Sequence, residues 1–569
     1  MKHYSIRPTA PPAVHTDLES YPHLVRQLLH TRGIKTVEEA QAFLAPEYER
    51  DLHDPFLMKD MGKAVERTLK ALVGKEKIAV WSDYDCDGIP GGVLLHDFFK
   101  KVGANFINYI PHRHEEGYGL NISGIEELAE KKVTLMITID CGTNDTLAIA
   151  RAKELGIEVI VTDHHLPALE RPALFALLNP HQEGETYPFK ELCGSGVAFK
   201  LVQGLIAKGN FNLPVGWEKW LLDMAGLATL ADMVPLTGEN RALAHYGLLV
   251  LRKSPRLGLR KLLRLMRMKQ HEITEDDVGF MIVPRINAAS RMDVPMDAFR
   301  LLTTDDEGRA EELAHHLNRI NDERKGVVAS MVKEIRKRMD AREPREVIVM
   351  GDPRWKPALL GLAANTLAEE FARPVFLWGR EGNETLKGSC RSDGSMNIVE
   401  LMRSRSDLFI QYGGHAFAGG FSVVQEKVHL LEVHLAEAFL ELSSKEIFVE
   451  PSYLDGELTL EGLDWNTYRQ IASLAPFGEG NPKPLFRFPS LLLNEVRQFG
   501  KKQEHLELLF KRKNGKPLSA ISFFTTAEDF PQLLNAGAKI DLIATVERST
   551  FRASPELRLR VVDVLKPGF

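Results

Sequence analysis

The chain has 569 residues, a formal net charge of -6 at pH 7, 44% hydrophobic residues and 26% charged residues. A chain of this length is too long for one ordinary hydrophobic core and predicts three or four domains of roughly 150 residues each. The net negative charge argues against indiscriminate binding to polyanions, but it does not exclude a local basic groove. No stretch approaches the roughly 20 apolar residues of a membrane span, and the N-terminus lacks an apolar signal core, so we expect a soluble cytoplasmic protein without a membrane partner.

Residues 1–70 are predicted to form an N-terminal helical lead-in. The segments 21–34 (YPHLVRQLLHTRGI) and 61–74 (MGKAVERTLKALVG) each carry apolar residues at helical spacing. No residue pattern in this region indicates chemistry.

Residues 71–250 alternate between strand-like and helical patterns. The candidate strands are 78–82 (IAVWS), 133–139 (VTLMITI), 158–162 (EVIVT) and 173–179 (ALFALLN). Near-continuous apolar strands with amphipathic helices between them predict an α/β fold, in which helices cover both faces of a parallel sheet. Such sheets bind their ligands beyond the carboxyl ends of the strands.

Acidic and imidazole side chains follow three of these strands at the same topological end. A single strand-end aspartate is more often a helix cap or a turn residue, but three successive ends together predict a shared cation site. Carboxylate and imidazole ligands without thiolates favour Mn²⁺ or Mg²⁺ and metal-assisted phosphoryl transfer. The candidate residues are Asp83, Asp85 and Asp87, then Asp140, then Asp163, His164 and His165.

The four cysteines lie far apart and show no CxxC spacing, so neither a disulfide framework nor a zinc ribbon is indicated. Cys86 and Cys141 adjoin candidate ligands, which raises the alternative of a redox site or a soft-metal site. Strand alternation turns Cys86 away from its acidic neighbours, so we expect both to be small buried fillers.

Motifs along most of the chain resemble a known family. The first four resemble those of the DHH phosphoesterase superfamily: DYDCDG (83–88), TIDCG (138–142), VTDHH (161–165) and LATLADMVPL (227–236). Four more are similar to those of its single-stranded-DNA-specific bacterial exonucleases: PRINAASR (284–291), GSCRSDG (388–394), GGHAFAGGFS (413–422) and FGEGNPKPLF (477–486). The resemblance runs from about residue 20 to the end.

The resemblance implies two divalent metal ions, Mn²⁺ or Mg²⁺. Asp85 would bind one ion and Asp87 the other, Asp140 would bridge them, and His164 and Asp232 would complete the second site.

Two further catalytic roles follow from the same resemblance. His165 would face the scissile phosphate, and Asp83 would support the ligands from the second coordination shell. The sequence departs from the family at Trp81, where many members carry a histidine four residues before the first metal-binding aspartate. Pro90 also interrupts a run that commonly contains an alcohol side chain, which makes the helix start uncertain.

Residues 251–342 are predicted to be a helical connector. The stretch 305–341 keeps apolar residues at helical spacing and contains no proline. A continuous helix of this length would span roughly 55 Å at about 1.5 Å per residue, which is long enough to join two lobes.

Residues 343–445 are predicted to form a second α/β domain, which resembles the DHH-associated substrate-binding domain. The strand-like segments are 345–351 and 374–379, followed by glycine-rich turns that allow close backbone approach. By resemblance, Ser389 and Arg391 would hold the terminal 5′ phosphate of a substrate, assisted by Arg285 or Arg291 and by Arg113. His415 would face the cleft, the alternative being an ordinary turn histidine.

Residues 446–569 change to short alternating strands, which predict a small barrel of the OB type that binds single strands by stacking and backbone electrostatics. Surface lysines are more often only solubilising. The candidate backbone contacts are Lys501, Lys502, Lys511, Arg512 and Lys513.

The resemblance implies a metal-dependent 5′-to-3′ exonuclease that degrades single-stranded DNA to 5′ mononucleotides in DNA repair and recombination. We expect a monomer that works with a helicase and a single-strand-binding protein. Two alternatives stay open: a superfamily hydrolase of short oligonucleotides, cyclic dinucleotides or pyrophosphate, and a degenerate scaffold that only binds DNA. The C-terminal strands oppose the first alternative, and the retained ligands oppose the second.

Overall fold

The computed structural model describes residues 4–11, 16–168, 172–343, 345–380, 385–443, 452–513, 515–530, 532, 534–550 and 554–568. They form a first α/β domain, a helical connector, a second α/β domain and a C-terminal β domain. Among the described helices, none has both the length and the apolar character needed to cross a membrane.

The N-terminal elements divide between two cores. Helices α1 and α2 pack into the core of the C-terminal β domain, whereas α4 packs into the core of the first α/β domain. The described part of the predicted 1–70 unit therefore has no separate core of its own. The elements are β1 Tyr4–Ile6, α1 His23–His30, α2 Val37–Leu44, α3 Tyr48–Asp51 and α4 Met61–Val73.

The first α/β domain has a five-stranded parallel sheet in the order β3-β2-β4-β5-β6. Ile78 and Val80 face one core, and Ala79 and Trp81 face the other, as expected for a sheet covered on both sides. The elements are β2 Ile78–Ser82, α5 Gly88–Val102, β3 Phe106–Tyr109, α6 Ile122–Glu130, β4 Leu135–Ile139, α7 Thr146–Glu154, β5 Glu158–Thr162, β6 Ala176–Leu178, α8 Gly194–Lys208, α9 Leu222–Ala231 and α10 Gly238–Leu251.

The connector ends in one continuous helix of 33 residues, which spans about 50 Å. Its first half, including Leu317, lies in the core of the first α/β domain, and its second half, including Ile335, lies in a core of the second. The elements are α11 Leu257–Leu265, α12 Glu275–Asp277, α13 Val283–Met292, α14 Met296–Thr303 and α15 Glu307–Met339.

The second α/β domain has a mixed sheet in the order β10-β11-β9-β8-β7, in which β7 and β8 are parallel and the other pairs are antiparallel. The elements are β7 Ile348–Gly351, α16 Pro357–Phe371, β8 Val375–Arg380, β9 Thr385–Arg391, α17 Ile398–Arg403, β10 Gln411–His415, β11 Ala418–Val424 and α18 Leu431–Ser443.

The C-terminal β domain has a seven-stranded, largely antiparallel sheet in the order β13-β14-β18-β19-β17-β16-β15. Its predicted start at residue 446 lies outside the described residues. β12 pairs with β1, which ties the N-terminal strand to the start of the C-terminal β domain. The elements are β12 Ser452–Leu454, β13 Gly456–Glu457, α19 Trp465–Ala472, β14 Phe486–Leu492, β15 Glu495–Phe499, β16 His505–Lys511, β17 Pro517–Phe523, β18 Lys539–Ser549 and β19 Glu556–Leu565.

A buried arginine joins three parts of the chain. Arg241 of α10 donates hydrogen bonds to the main-chain oxygen of Phe43, to that of Leu474 (2.8 Å) and to that of Ala475 (3.1 Å). We expect Arg241→Met to cost about 3 kcal/mol of stability, because it leaves buried carbonyl groups without donors. Urea unfolding followed by circular dichroism checks this, with exposed Arg264→Met as the control. Equal midpoints for the two variants would contradict the prediction.

Candidate metal centre and phosphate cleft

Six predicted residues meet at the carboxyl ends of β2, β4 and β5 and at the end of α9. Their ligand atoms form two groups, in each of which all three atoms lie within 4.8 Å of one another. Because Asp85 and Asp87 fall into different groups, the arrangement can hold two cations. The first group is Asp83, Asp85 and Asp140, and the second is Asp87, His164 and Asp232.

The position of the Asp83 carboxylate does not match the supporting role predicted for it. It was expected to act only as a supporting residue, but its carboxylate lies among the ligand atoms of the first group. Its Oδ1 is buried and makes no hydrogen bond to any described residue. Direct coordination by Asp83 is therefore geometrically available.

The loop after β2 is shaped by the start of α5. Asp85 Oδ1 accepts hydrogen bonds from the backbone N–H groups of Asp87 (2.8 Å) and Gly88 (3.2 Å). Gly88 approaches the loop so closely that a Cβ would lie 2.5 Å from the Asp83 main-chain oxygen. The glycine of the DYDCDG motif therefore allows the turn that brings the three aspartates together.

The N-terminus of α8 holds Asp87. Its carboxylate accepts hydrogen bonds from the N–H groups of Gly194 (2.6 Å) and Ser195 (2.8 Å), where the helix dipole also favours negative charge. Sequence reasoning missed both residues. The available signal was the run of small residues, CGSG, at 193–196.

Asp140 belongs to the first ligand group, and its carboxylate also lies within 4.8 Å of the ligand atoms of His164 and His165. Its Oδ1 is 3.2 Å from His164 Nε2, is buried, and has no hydrogen-bond partner among the residues described. The backbone of Asp140 is left-handed, with φ of 60°, which is uncommon for a residue other than glycine. Buried carboxylate oxygens without partners are costly unless a cation binds them, so this residue fits a metal centre.

The acidic cluster also fits cations electrostatically. Burial and the charge of Asp87 raise the pKa of Asp140 well above its usual value, and burial and the charges of Asp87 and Asp85 raise the pKa of Asp232 to about 9. Divalent cations would compensate this crowding of negative charge. Oxygen and imidazole donors without thiolates suit Mn²⁺ or Mg²⁺.

His165 is held in place by Asp163. Its Nδ1 lies 2.7 Å from Asp163 Oδ1, and Asp163 also accepts the backbone N–H of Thr143 (3.1 Å). Burial alone would lower the pKa of His165, but the hydrogen bond and charge of Asp163 outweigh burial and raise the pKa to about 9. His165 lies at the edge of the cluster, and the Tyr118 hydroxyl, which was not predicted, lies 3.3 Å from its Nε2.

Trp81 is fully buried in the core beneath the site. Its ring stacks on Tyr109 with 4.2 Å between ring centroids, and it packs so closely on Gly124 that a Cβ there would lie 2.5 Å from the indole. Cys86 and Cys141 are also buried, as predicted. The tryptophan therefore fills core volume beneath the site.

A cavity of about 730 Å³ opens between the first and second α/β domains. Tyr84, Arg113 and Tyr118 line it from the first domain, and Ser389 and Arg391 line it from β9 of the second. Arg391 Nη1 donates to Ser389 Oγ at 3.2 Å. The structure thus brings together three of the residues predicted to hold a phosphate.

Arg291 and Arg285 have different surroundings. Arg291 donates to the Ala358 main-chain oxygen (2.8 Å) on α16, and its charge interacts with those of Arg113 and Arg391. Arg285 instead donates to Asn318 Oδ1 (3.0 Å) on α15. Neither arginine is among the residues that line the cavity, and the choice between them as a phosphate ligand stays a prediction.

His415 does not line the cavity. It ends β10 and is exposed, although its neighbours in the β10–β11 hairpin do line the cavity. His415 is therefore placed at the end of the β10–β11 hairpin, outside the residues that line the cavity, and its functional role stays a prediction.

A substitution at Gly194 tests how closely α8 must approach the cluster. A Cβ at Gly194 would lie 2.6 Å from Asp140 Cβ, whereas a Cβ at Gly196 would meet nothing closer than 3.5 Å. We expect Gly194→Ala to weaken Mn²⁺ binding on the order of tenfold, because displaced ligands lose their shared geometry. Calorimetric titration with Mn²⁺ measures this, with Gly196→Ala as the control. Equal affinity in both variants would contradict the prediction.

Three family models match successive parts of the chain. They are the DHH family, N-terminal domain, over residues 77–229, the DHHA1 domain over 345–441, and the RecJ OB domain over 454–563. The third model adds a C-terminal OB-type domain to the α/β organisation, and the predicted fold class is confirmed.

Curated proteins and solved structures match almost the whole chain. The single-stranded-DNA-specific exonuclease RecJ of Bacillus subtilis is 34% identical over 94% of this chain and 67% of its own length. That of Haemophilus influenzae is 31% identical over 96% of both chains. A crystal structure of RecJ in complex with Mn²⁺ from Thermus thermophilus has a TM-score of 0.82 at 28% identity, covering 100% of this chain and 80% of that one.

Proposed function

This chain belongs to the RecJ family of single-stranded-DNA-specific exonucleases, and on that basis we propose that it hydrolyses single-stranded DNA from the 5′ end with two divalent cations, Mn²⁺ or Mg²⁺. The products would be 5′ mononucleotides. The observation that carries the proposal is the approach of Asp140 Oδ1 to within 3.2 Å of His164 Nε2, which joins the two ligand groups. Tyr118, whose hydroxyl donates to the Asp140 main-chain oxygen (3.2 Å), lines the same cavity as Ser389 and Arg391.

The chain's own residues would divide the work around the scissile phosphate. Asp85 would hold one cation and Asp87 the other, while His164 and Asp232 complete the second site and Asp140 contacts both. When bound, the cations would lower the pKa of a water nucleophile and neutralise charge on the phosphoryl oxygens. The N–H groups of Gly194 and Ser195 would fix the orientation of the Asp87 carboxylate.

His165 would donate a hydrogen bond to a non-bridging oxygen of the scissile phosphate as negative charge develops there. Its orientation follows from the 2.7 Å contact with Asp163, whose charge also raises the pKa of the imidazole. A charged donor that is already oriented stabilises the transition state strongly, because no free energy is spent on reorienting it during the reaction.

The cavity would set the direction of cleavage. A terminal 5′ phosphate would be bound by Ser389, Arg391, Arg113 and Arg291. This group carries more negative charge than an internal phosphodiester, so these residues would select the end of a strand. With that phosphate held, the next phosphodiester would lie over the cations, so nucleotides would leave one at a time from the 5′ end.

The remaining assignments are part of the same proposal. Catalysis would rest on residues 71–250, terminal-phosphate binding on 343–445 and strand binding on the OB-type domain, including its exposed lysines. We further propose a monomer that acts in DNA repair and recombination together with a helicase and a single-strand-binding protein.

Digestion of end-labelled DNA tests the proposal. With Mn²⁺ or Mg²⁺, a 5′-labelled single strand should release labelled mononucleotide at once, a 3′-labelled strand should shorten stepwise, and EDTA should stop both. Its blunt duplex should resist cleavage. Preferential turnover of a dinucleotide would favour an oligonucleotidase, and no cleavage with either metal would favour a DNA-binding scaffold.

A further inference from the structure

A second cavity, of about 620 Å³, lies where the first α/β domain meets the C-terminal β domain. Most of its wall is apolar and includes Leu230, Val234 and Phe477. The backbone N–H of Leu236 donates to the main-chain oxygen of Glu479 (2.7 Å), which joins the two domains at this place. Among the residues that the structure describes, this cavity shares no lining residue with the phosphate cavity. We call it the apolar cavity.

The apolar cavity begins directly beside the second ligand group. Ala231 and Met233 both line it, and they flank Asp232, whose carboxylate belongs to that group. Consecutive Cα atoms are only about 3.8 Å apart, so the cavity wall and this ligand are immediate neighbours. A group bound in the apolar cavity therefore lies close to the phosphate that the cations would hold.

Two large apolar side chains are exposed at the apolar cavity. Met233 is 71% exposed and Phe280 is 77% exposed, and both line the cavity. Met233 has a left-handed backbone, with φ of 58°, which is uncommon for a residue other than glycine. Phe280 lies on the π-helical turn Val278–Ile282, a rare element that is frequent at functional sites. Apolar surface that is exposed in this way marks a place where a ligand binds.

The charged residues around the apolar cavity favour a neutral ligand over a phosphate group. Lys483 already forms an ion pair with Asp276, and the Arg560 guanidinium lies 4.2 Å from the centre of the Phe523 ring. The remaining excess of carboxylates repels a phosphodiester. A neutral nucleobase avoids this repulsion, and it stacks well on an aromatic ring. The charged lining residues are Glu275, Asp276, Glu479, Glu547, Lys483 and Arg560.

We propose that the apolar cavity is a subsite for one unpaired nucleobase, which stacks on Phe280 and packs against Met233. The inference rests on the proposed function, in which the terminal 5′ phosphate occupies the other cavity. A strand that runs from there across the cations reaches Asp232 with its 3′ part, so the base belongs to a nucleotide on the 3′ side of the scissile bond. A base that is paired in a duplex cannot enter such a cavity, so the subsite contributes to single-strand preference.

The test compares Phe280→Ala with Trp220→Ala, which removes another exposed aromatic ring that lines neither cavity. The substrates are 5′-phosphorylated strands, either intact or abasic at the second, third or fourth nucleotide. The measurement is kcat/KM for release of the first, labelled nucleotide. For the wild-type chain, one abasic position should lower kcat/KM about tenfold, because the stacking of that base is lost.

Phe280→Ala should lower kcat/KM for the intact strand about tenfold and should no longer respond to that abasic position. Phe280→Trp should restore both the rate and the response, since indole offers a similar stacking surface. Trp220→Ala should behave as wild type. A merely structural role of Phe280 would lower the rate for every strand and leave the abasic response unchanged.

Two results would overturn the inference. One is an abasic penalty that persists in full in Phe280→Ala, and the other is a wild-type chain that shows no penalty at any position, which would leave the apolar cavity to a protein segment instead of a base. Failure of the wild-type chain to cleave any strand would defeat the proposed function instead. Fluorescence anisotropy in EDTA would then still compare the affinities of each variant for the intact and abasic strands.

Discussion

Asp140→Asn is expected to reduce cleavage of single-stranded DNA by about a thousandfold or more, since several kcal/mol of transition-state stabilisation depend on the two cations that this carboxylate contacts. The substitution keeps the shape of the side chain. Asparagine also adopts the left-handed backbone of this position more readily than most residues, so the fold is expected to persist. Binding of single-stranded DNA should change by no more than about threefold.

Single-turnover cleavage with Mn²⁺, anisotropy with a labelled strand, and Mn²⁺ titration measure these three properties separately. Exposed Asp340, at the end of α15, provides the control Asp340→Asn. The variant should also bind fewer than two cations, because the first ligand group loses a charged donor that also lies 3.2 Å from His164 of the second group. If the Asp140→Asn variant binds two ions and keeps a tenth of the wild-type cleavage rate, the predicted bridging role of Asp140 is wrong.

The metal ligands could be predicted because they depend on local pattern and on one topological rule. Buried strands are visible as apolar runs, and parallel strands must end at the same edge of their sheet. Asp140 and His164 therefore had to approach the aspartates after β2, whatever the details of the loops. The same reasoning missed β3, Phe106–Tyr109, because this edge strand is short and only partly buried.

Contacts between distant segments could not be predicted in this way. Gly194 is 107 residues from Asp87, and no periodicity indicates that the first turn of α8 caps that carboxylate. The family resemblance assigned Asp83 a supporting role instead of a ligand role. The position of its carboxylate, however, depends on how the loop turns at Gly88. Local pattern determines which residues face the sheet edge, but tertiary packing determines which atoms meet there.

The same distinction applies to the phosphate cleft. Ser389 and Arg391 are on one strand, and their shared direction follows from a spacing of two residues. Whether Arg285 or Arg291 joins them depends on the rotation of α13 between α15 and α16, which the motif PRINAASR does not specify. The lead-in helices show this most clearly, since α1 packs on the C-terminal β domain at the far end of the sequence.

Arg391→Gln is expected to lower kcat/KM for 5′-phosphorylated strands about a hundredfold, because charge-assisted hydrogen bonds to a phosphate contribute roughly 1.5–3 kcal/mol each. Strands that end in a 5′ hydroxyl should be almost unaffected, since they offer no terminal charge. The wild-type preference for the phosphorylated end should therefore largely disappear. A loss confined to one kind of end distinguishes phosphate recognition from general damage to the cleft.

Competition between the two kinds of strand, labelled differently in one reaction, measures this preference directly. Arg403→Gln, an exposed change on α17 of the same domain, is the control. Equal losses on both ends would mean that Arg391 shapes the cavity through its contacts with Ser389 and the Cys390 carbonyl rather than binding the terminus. Because the terminal phosphate positions the next phosphodiester over the cations, a selective loss would also explain why cleavage proceeds from the 5′ end.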